Sequence, residues 1–83
     1  MAFKVEYKSS VTRDFKKLDK QVALRIIDQQ EATLSEDPSS GVPLTGQFEG
    51  LFELQIGDYR VIYTKKKDGA LVLRIGHRSK VYR

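Results

Sequence analysis

The residues best suited to chemistry are concentrated in the last third of this 83-residue chain. Residues 59–83 hold eight basic side chains and one acidic side chain, Asp68, whereas residues 1–42 hold seven of each. Arginine binds phosphate oxygens through paired N–H groups and stays charged at any working pH. His77 and Tyr82 add flat rings for base stacking and groups that can transfer protons. This combination favours a polyanion such as RNA as the ligand.

The composition excludes several other kinds of site. Cysteine is absent and histidine occurs once, which argues against disulfides, thiolate metal sites and histidine-built metal sites. Hydrophobic residues make up 40% of the chain and charged residues 31%, as in folded globular domains. No apolar run approaches the ~20 residues of a membrane span, and the charged N-terminus is unlike a signal peptide. We therefore expect one cytoplasmic domain over residues 1–83 that needs neither a metal nor another cofactor.

The first quarter of the chain predicts a strand followed by a short helix. Apolar and charged side chains alternate over residues 2–7, which is the period of a strand. Ser9 and Ser10 are both favourable helix N-caps. Apolar side chains then recur at helical spacing until Leu18, where we expect the first helix to end.

A second helix is predicted over residues 20–36. Asp19 can accept a hydrogen bond from its first turn, and Pro38 prevents its continuation. Its apolar side chains share one face, with Gln30 at the edge of that face. Residues 37–50 contain two prolines and three glycines and are predicted to form a surface loop. We expect the two helices to form a hairpin that packs on a sheet.

The second half of the chain predicts three antiparallel strands, of which the first two meet at Gly57-Asp58. Glycine at the first central position is typical of a two-residue type II′ turn. Such a turn pairs Gln55 with Arg60 and places Glu53 on the same face of the sheet.

The connection to the last strand, at residues 67–69, has two alternatives. A two-residue loop would place Arg74 on the buried face, and an unpaired buried charge costs several kcal/mol. A three-residue loop with Gly69 in the left-handed conformation places Arg74 on the open face and Gly76 beside Arg60. We expect the second alternative, which turns three apolar side chains towards the helices: Leu71, Leu73 and Ile75.

The predicted architecture is therefore an α+β fold of order β-α-α-β-β-β, with a helical hairpin on one face of a mainly antiparallel sheet. The other face should be an open, solvent-facing surface with Arg60, Arg74 and Gln55. Arg74 could contact phosphate there or pair across the strands with Glu53. The residues that follow can fold over the rim of this face: His77, Arg78, Lys80, Tyr82 and Arg83.

Two segments closely resemble the RelE/ParE superfamily of toxins from type II toxin–antitoxin systems, and in particular its RelE-like branch. They are residues 57–63 (GDYRVIY) and residues 74–83 (RIGHRSKVYR). The resemblance extends over essentially the whole chain, since the predicted order of strands and helices is also that of the family. It implies a ribosome-dependent endoribonuclease that cleaves messenger RNA, inhibits translation and is held by a cognate antitoxin. The resulting hetero-oligomer would bind operator DNA.

The resemblance also implies roles for individual residues. Catalysis would be metal-independent: the 2′-hydroxyl attacks the adjacent phosphate and the 5′-oxygen leaves. Arg60 matches the phosphate-binding arginine, Arg78 the arginine that stabilises charge and can donate the leaving-group proton, and Tyr82 the tyrosine that orients or stacks on the substrate.

Four further residues extend this catalytic and RNA-binding set. His77 is a candidate for acid–base catalysis, and Lys80 and Arg83 are candidate RNA contacts. Gln55 could position a hydroxyl group.

Glu53 is one place where the sequence departs from the RelE pattern, which often has basic residues on this strand. Its carboxylate could act as the general base or could pair with an arginine. Two other functions share the same fold: inhibition of DNA gyrase through protein contact, as in ParE-like toxins, and antitoxin binding by a catalytically weak homologue.

Overall fold

The computed structural model describes residues 3–79, which form two helices packed on one face of a five-stranded sheet. In chain order the elements are β1 (Lys4–Tyr7), α1 (Ser9–Lys16), α2 (Lys20–Glu36), β2 (Val42–Pro43), a 3-10 turn (Gly46–Phe48), β3 (Phe52–Ile56), β4 (Tyr59–Lys66) and β5 (Gly69–His77). The strand order is β1-β5-β4-β3-β2, and only the β1–β5 pair is parallel. Neither helix of the described chain has the length and apolar character to cross a membrane.

This architecture confirms the predicted α+β fold and corrects one part of it. The segment predicted as a loop between residues 37 and 50 contains the short strand β2, which pairs with β3. Proline has no N–H to donate, so strands that contain it lie at sheet edges. The two-residue length and Pro43 explain why the sequence pattern did not indicate this strand.

The core lies between the helices and the sheet. Its fully buried members are at most 2% exposed, apart from Ile56 at 8%, and come from both helices and three strands: Val11, Ile26, Leu34, Ile56, Val61, Tyr63, Ala70, Val72 and Ile75. The phenol of Tyr63 donates to the carbonyl of Pro38 (2.8 Å) and accepts from the Gly41 N–H (2.9 Å). Burial raises the pKa of this phenol above its usual value, so it stays a donor. Tyr63 therefore fastens the loop after α2 to the sheet.

Gln30 is fully buried rather than at the edge of the apolar face of α2. Its Nε2 donates to the phenol oxygen of Tyr7 on β1 over 2.9 Å. A buried amide is tolerated when it finds a partner inside the protein. The prediction placed this residue too close to solvent because it could not foresee the tyrosine.

The two helix starts differ from each other. Asp19 caps α2 as predicted, with its carboxylate accepting from the Gln21 N–H at 3.1 Å. The predicted serine caps of α1 are wrong: Ser9 and Ser10 lie inside the helix, and Lys8 occupies the cap position without a side-chain hydrogen bond. The reason is that the Ser10 hydroxyl is used elsewhere, on the edge of β5.

The first β hairpin has the predicted register. Gln55 lies opposite Arg60, and the pairing continues along both strands. Gly57 has a φ of +61°, whereas Asp58 has a negative φ. A positive φ at the first central residue alone is the pattern of a type II′ turn.

The second hairpin differs from the prediction in its turn. It has a two-residue loop, since Lys66 pairs with Gly69, and a β-bulge then shifts the register between Ile62 and Tyr63. The bulge supplies the one-residue shift that the prediction assigned to the loop. Arg74 consequently lies opposite Ile62 and Gly76 opposite Arg60, both as predicted. The core-facing residues before the bulge, however, are Ala70 and Val72 rather than Leu71 and Leu73.

Glycine is required at position 69 because β1 approaches it closely, and not because its backbone is left-handed. Its φ is not positive, and a Cβ built on it would overlap the carbonyl oxygen of Lys4. Strand β1 therefore runs directly against the start of β5, and only a residue without a side chain fits there.

Helix α1 completes the edge of β5 where β1 ends. The parallel pairing stops at Tyr7 and Val72. Beyond it, the Ser10 hydroxyl donates to the carbonyl of Leu73 (2.9 Å), and the Asp14 carboxylate accepts from the N–H of Ile75 (2.9 Å). Buried backbone groups must find partners, so these two side chains take the place of a neighbouring strand along the bulged part of β5.

Gly69→Ala should destabilise the protein by about 2–3 kcal/mol, because the added methyl group forces β1 away from β5. Gly46→Ala is the comparison: Gly46 has a φ of +65° and open space around its Cβ position. We expect that variant to lose only about 1 kcal/mol, from backbone strain. Urea unfolding followed by circular dichroism measures both losses. Equal losses in the two variants would refute the close approach at Gly69.

Asp14→Ala should cost about 1–3 kcal/mol, because it leaves the buried N–H of Ile75 without its acceptor. Asp14→Asn retains an acceptor oxygen and should lose less. Asp28→Ala is a suitable control, since this exposed carboxylate on α2 should contribute less than about 0.5 kcal/mol. The urea midpoints of the three variants test this ranking, and an Asp14→Ala midpoint equal to that of Asp28→Ala would contradict it.

Candidate functional site

Arg60 and Glu53 form an ion pair on the sheet face that the helices leave uncovered. Arg60 is opposite Gln55 in the register, and Glu53 is one diagonal step away on β3. Side chains in diagonal positions are within reach when they are long. The Nε of Arg60 lies 2.5 Å from the Oε1 of Glu53, and the two side chains are only 19% and 21% exposed. The pair is therefore formed in a partly desolvated position, where charges interact more strongly than in water.

The uncovered face is less open than predicted. Ile62, on this face between Glu53 and Arg74, is only 4% exposed, and the Nη1 of Arg60 is buried with no hydrogen-bond partner within residues 3–79. Arg60 is paired with Glu53, and little of its side chain extends into solvent. A buried donor on a charged group is costly to leave unpaired.

Arg74 has a partner that the sequence did not indicate. It lies on the uncovered face as predicted, but its Nε is 3.5 Å from the Oδ2 of Asp14, and its side chain is 44% exposed. Asp14 thus joins α1 to both the backbone and an arginine of β5. The signal that could have found it is an acidic residue among the apolar positions that face the sheet, between Val11 and Phe15.

Arg78 is held close to the first hairpin turn. Its backbone N–H donates to the carbonyl of Asp58 over 2.9 Å, while its side chain is exposed. Arg60 is two residues beyond that carbonyl along β4, so the structure brings Arg60 and Arg78 to the same end of the sheet. Gln55 is exposed there too, and its Nε2 donates to the carbonyl of Gly57 at 3.3 Å.

His77 is not on the face that carries Arg60. It pairs with Tyr59 in the register, and the two rings meet edge to face with centroids 5.6 Å apart, on the side where Tyr59 packs against the core. This corrects the expectation that His77 folds over the rim, because alternation along β5 turns Gly76 and His77 to opposite faces. Its Nδ1 lies 3.2 Å from the backbone nitrogen and 2.9 Å from the hydroxyl oxygen of Ser79.

The remaining predicted residues, Lys80, Tyr82 and Arg83, lie outside the described part of the chain. The site that the structure describes is therefore the Glu53–Arg60 pair with Gly76 opposite, together with Arg78 beside the turn. Arg74 is at the edge of β5 nearest to α1.

Comparison with known proteins gives a family match. Residues 5–82 match the family model described as ParE toxin of type II toxin–antitoxin system, parDE. A search of curated proteins found no match.

Solved structures of similar fold come from several organisms. One chain of the toxin–antitoxin complex RelBE2 from Mycobacterium tuberculosis is 26% identical to this protein and superposes with a TM-score of 0.87. The match covers 94% of this protein and 100% of the RelBE2 chain. This protein is also 26% identical to the conserved hypothetical protein HP0894 from Helicobacter pylori, with a TM-score of 0.70 and coverage of 93% and 96%. The isolated RelE toxin of E. coli, at 20% identity, shares the fold with a TM-score of 0.71 and coverage of 98% and 92%.

The family match extends over nearly the whole chain, and the similar structures share its fold. The chain therefore belongs to the RelE/ParE superfamily of type II toxin–antitoxin toxins.

Proposed function

We propose that this toxin is a ribosome-dependent endoribonuclease that cleaves messenger RNA and thereby inhibits translation in the cytoplasm. The observation that supports this most directly is the Glu53–Arg60 pair, a carboxylate and a guanidinium side by side on the uncovered sheet face. Gly76 lies opposite Arg60 and leaves room for a backbone or a base to approach. Arg78, fixed near the same turn, supplies a second cation.

The proposed reaction transfers the phosphate within the RNA. A base removes the proton of the 2′-hydroxyl, the 2′-oxygen bonds to the adjacent phosphorus, and the 5′-oxygen leaves with a proton from an acid. Arg60 and Arg78 would stabilise the negative charge that develops on the phosphate oxygens. Arginine guanidinium groups hold their proton at any working pH, so we assign Arg78 charge stabilisation as its main role and proton donation as a secondary one. Tyr82 would stack on a base, and Arg74, Lys80 and Arg83 would contact the RNA backbone.

The similar structures also support a protein partner. Several of them are described as toxin–antitoxin complexes, including RelBE2 of Mycobacterium tuberculosis and RelBE of E. coli. We therefore propose a cognate antitoxin for this chain and a hetero-oligomer that binds operator DNA.

Arg60→Ala is the variant that tests the proposed activity. The wild-type protein is expressed without antitoxin, and the 5′ ends of messenger RNA are mapped in growing cells. We expect new cuts within translated codons and growth arrest, both lost in Arg60→Ala because a phosphate contact is removed. Arg25→Ala, which removes an exposed arginine from α2, is the matched control and should cut like the wild type. Cutting that persists in Arg60→Ala would exclude this site.

A second candidate function, inhibition of DNA gyrase, is favoured by the match to the ParE family model. The same experiment separates the two. Growth arrest with intact messages and induced DNA damage signalling would support the gyrase function. Neither arrest nor cuts would support a homologue that only binds antitoxin.

Glu53→Gln distinguishes the two roles of the carboxylate. If Glu53 is the general base, this variant should lower the cleavage rate by at least about 100-fold. If Glu53 only neutralises Arg60, the variant should cleave as fast as the wild type or faster, because the guanidinium becomes available to phosphate. Single-turnover cleavage on purified ribosomes gives the rate directly, and its dependence on pH shows whether a base has been lost.

A further inference from the structure

Asp14 is a charged residue that the proposed reaction does not use, although it contacts an arginine of the uncovered sheet face. Its side chain is 9% exposed, and its Oδ2 accepts from the Ile75 N–H over 2.9 Å. The same oxygen lies 3.5 Å from the Nε of Arg74. The bond to the backbone is short and buried, so it holds Asp14 at the edge of β5 independently of Arg74. The carboxylate is therefore a fixed negative charge beside that arginine.

The Arg74 side chain is much less constrained than the carboxylate next to it. It is 44% exposed, and Asp14 is its one ion-pair partner within residues 3–79. The contact is made through Nε, whereas a guanidinium has five N–H donors and binds a phosphate through two of them at once. Ion pairs with an exposed partner contribute little to stability. A phosphate can therefore draw Arg74 away from Asp14 at a small cost.

Arg74 is placed to reach an RNA strand that is held at Arg60. Arg60 lies opposite Gly76, and Arg74 precedes Gly76 by two residues on the same strand, so the two arginines are diagonal neighbours across β4 and β5. Diagonal positions are about 7–8 Å apart, within reach of long side chains. One RNA strand on this face can therefore contact both arginines through different phosphates.

The two arginines differ in how firmly their carboxylates hold them. The Arg60–Glu53 pair is 2.5 Å long, and both side chains are about four-fifths buried, at 19% and 21% exposure. The Arg74–Asp14 pair is 3.5 Å long, and the arginine is nearly half exposed. Charges interact more weakly where water surrounds them. Arg74 is thus the arginine whose carboxylate partner is more easily exchanged for phosphate.

We propose that Asp14 is an electrostatic restraint on Arg74, which leaves this carboxylate to bind an RNA phosphate next to the one held at Arg60. This inference rests on the proposed ribonuclease function, and it makes Asp14 a positioning residue that acts through Arg74. Because the fixed carboxylate competes with the phosphate, Asp14 lowers the affinity for RNA without taking part in the bond changes.

The test measures RNA binding by Asp14→Asn, which removes the charge and keeps an acceptor for the Ile75 N–H. The probe is a 2′-O-methylated RNA strand, which cannot be cleaved by 2′-hydroxyl attack, and the salt concentration is varied from 50 to 200 mM. Asp28→Asn is the charge control, since it removes the same charge from an exposed position on α2. Ser10→Ala is the structural control, since it removes the other side-chain bond to β5 without changing any charge.

We expect Asp14→Asn to bind the strand about two- to fivefold more tightly at 50 mM salt, which is what releasing an exposed ion pair provides. Its slope of log affinity against log salt should be steeper by about 0.7, the contribution of one more phosphate contact on a single strand. Neither Asp28→Asn nor Ser10→Ala should reproduce these two changes. In an Arg74→Gln background, the effect of Asp14→Asn should be no larger than that of Asp28→Asn.

Three results overturn the inference. They are weaker or unchanged binding by Asp14→Asn, an equal gain in Asp28→Asn, and a gain that persists in the Arg74→Gln background. Thermal midpoints close to that of the wild type confirm that the variants are folded. Asp14→Ser, which also offers an uncharged acceptor, replaces the asparagine variant if that variant does not fold, with the same expected changes.

Single-turnover cleavage on purified ribosomes separates this inference from the proposed function. Asp14→Asn should lower the toxin concentration that gives half the maximal rate, while the maximal rate stays within about twofold of the wild type. If the wild type cuts and Asp14→Asn binds RNA no more tightly, the restraint fails and the ribonuclease function stands. If the wild type makes no cuts but the gain in binding depends on Arg74, the ribonuclease function fails and the restraint on phosphate binding stands.

Discussion

The edge of β5 is the constraint on which the rest of the structure depends. Strand β1 provides hydrogen bonds for its first four residues only, and the polar groups that follow are close to the core. Ser10 and Asp14 of α1 satisfy them. Because α1 does this in place of a strand, β5 can carry a bulge there without losing its backbone partners. The bulge in turn sets the register of β5 against β4, and with it the pairing of Gly76 with Arg60.

Much of the fold follows from the sequence pattern alone, and the exceptions have a common cause. Both helices and the Gly57 hairpin are marked by strong local signals, namely apolar spacing, the Asp19 cap and the glycine turn. Residues 70–73 are apolar at every position, so alternation could not decide which of them faces the core. The close contact of Gly69 with β1 determines which of these side chains face the core, and it joins segments that are far apart in sequence. The pairing of Gly76 with Arg60 was nevertheless predicted correctly. The predicted third loop residue and the observed bulge each shift the β4–β5 register by one residue, so both give the same pairing at this end of the strands.

The candidate site was predictable in its arginines and in Glu53 as a possible arginine partner, but not in Asp14. Local spacing placed Arg60 and Arg74 on one face, as the register shows. The predicted hairpin register already places Glu53 of β3 within reach of Arg60, whereas only the folded structure brings Asp14 of α1 to Arg74. Both arginines are thus partly neutralised in the described structure. If the proposed function holds, a substrate phosphate competes with these carboxylates for the two arginines, so Glu53 and Asp14 set how much positive charge the site offers.

The pairing of β1 with β5 also has a consequence for how the chain is made. Residue 4 pairs with residue 69, so the first strand has no partner until β5 has been synthesised. Closing so long a loop is slow, since its entropy cost precedes the contacts that reward it. The same step brings Ser10 and Asp14 of α1 onto β5. The Asp14–Arg74 pair and the side-chain partners of the bulged part of β5 therefore form only after β5 has been synthesised.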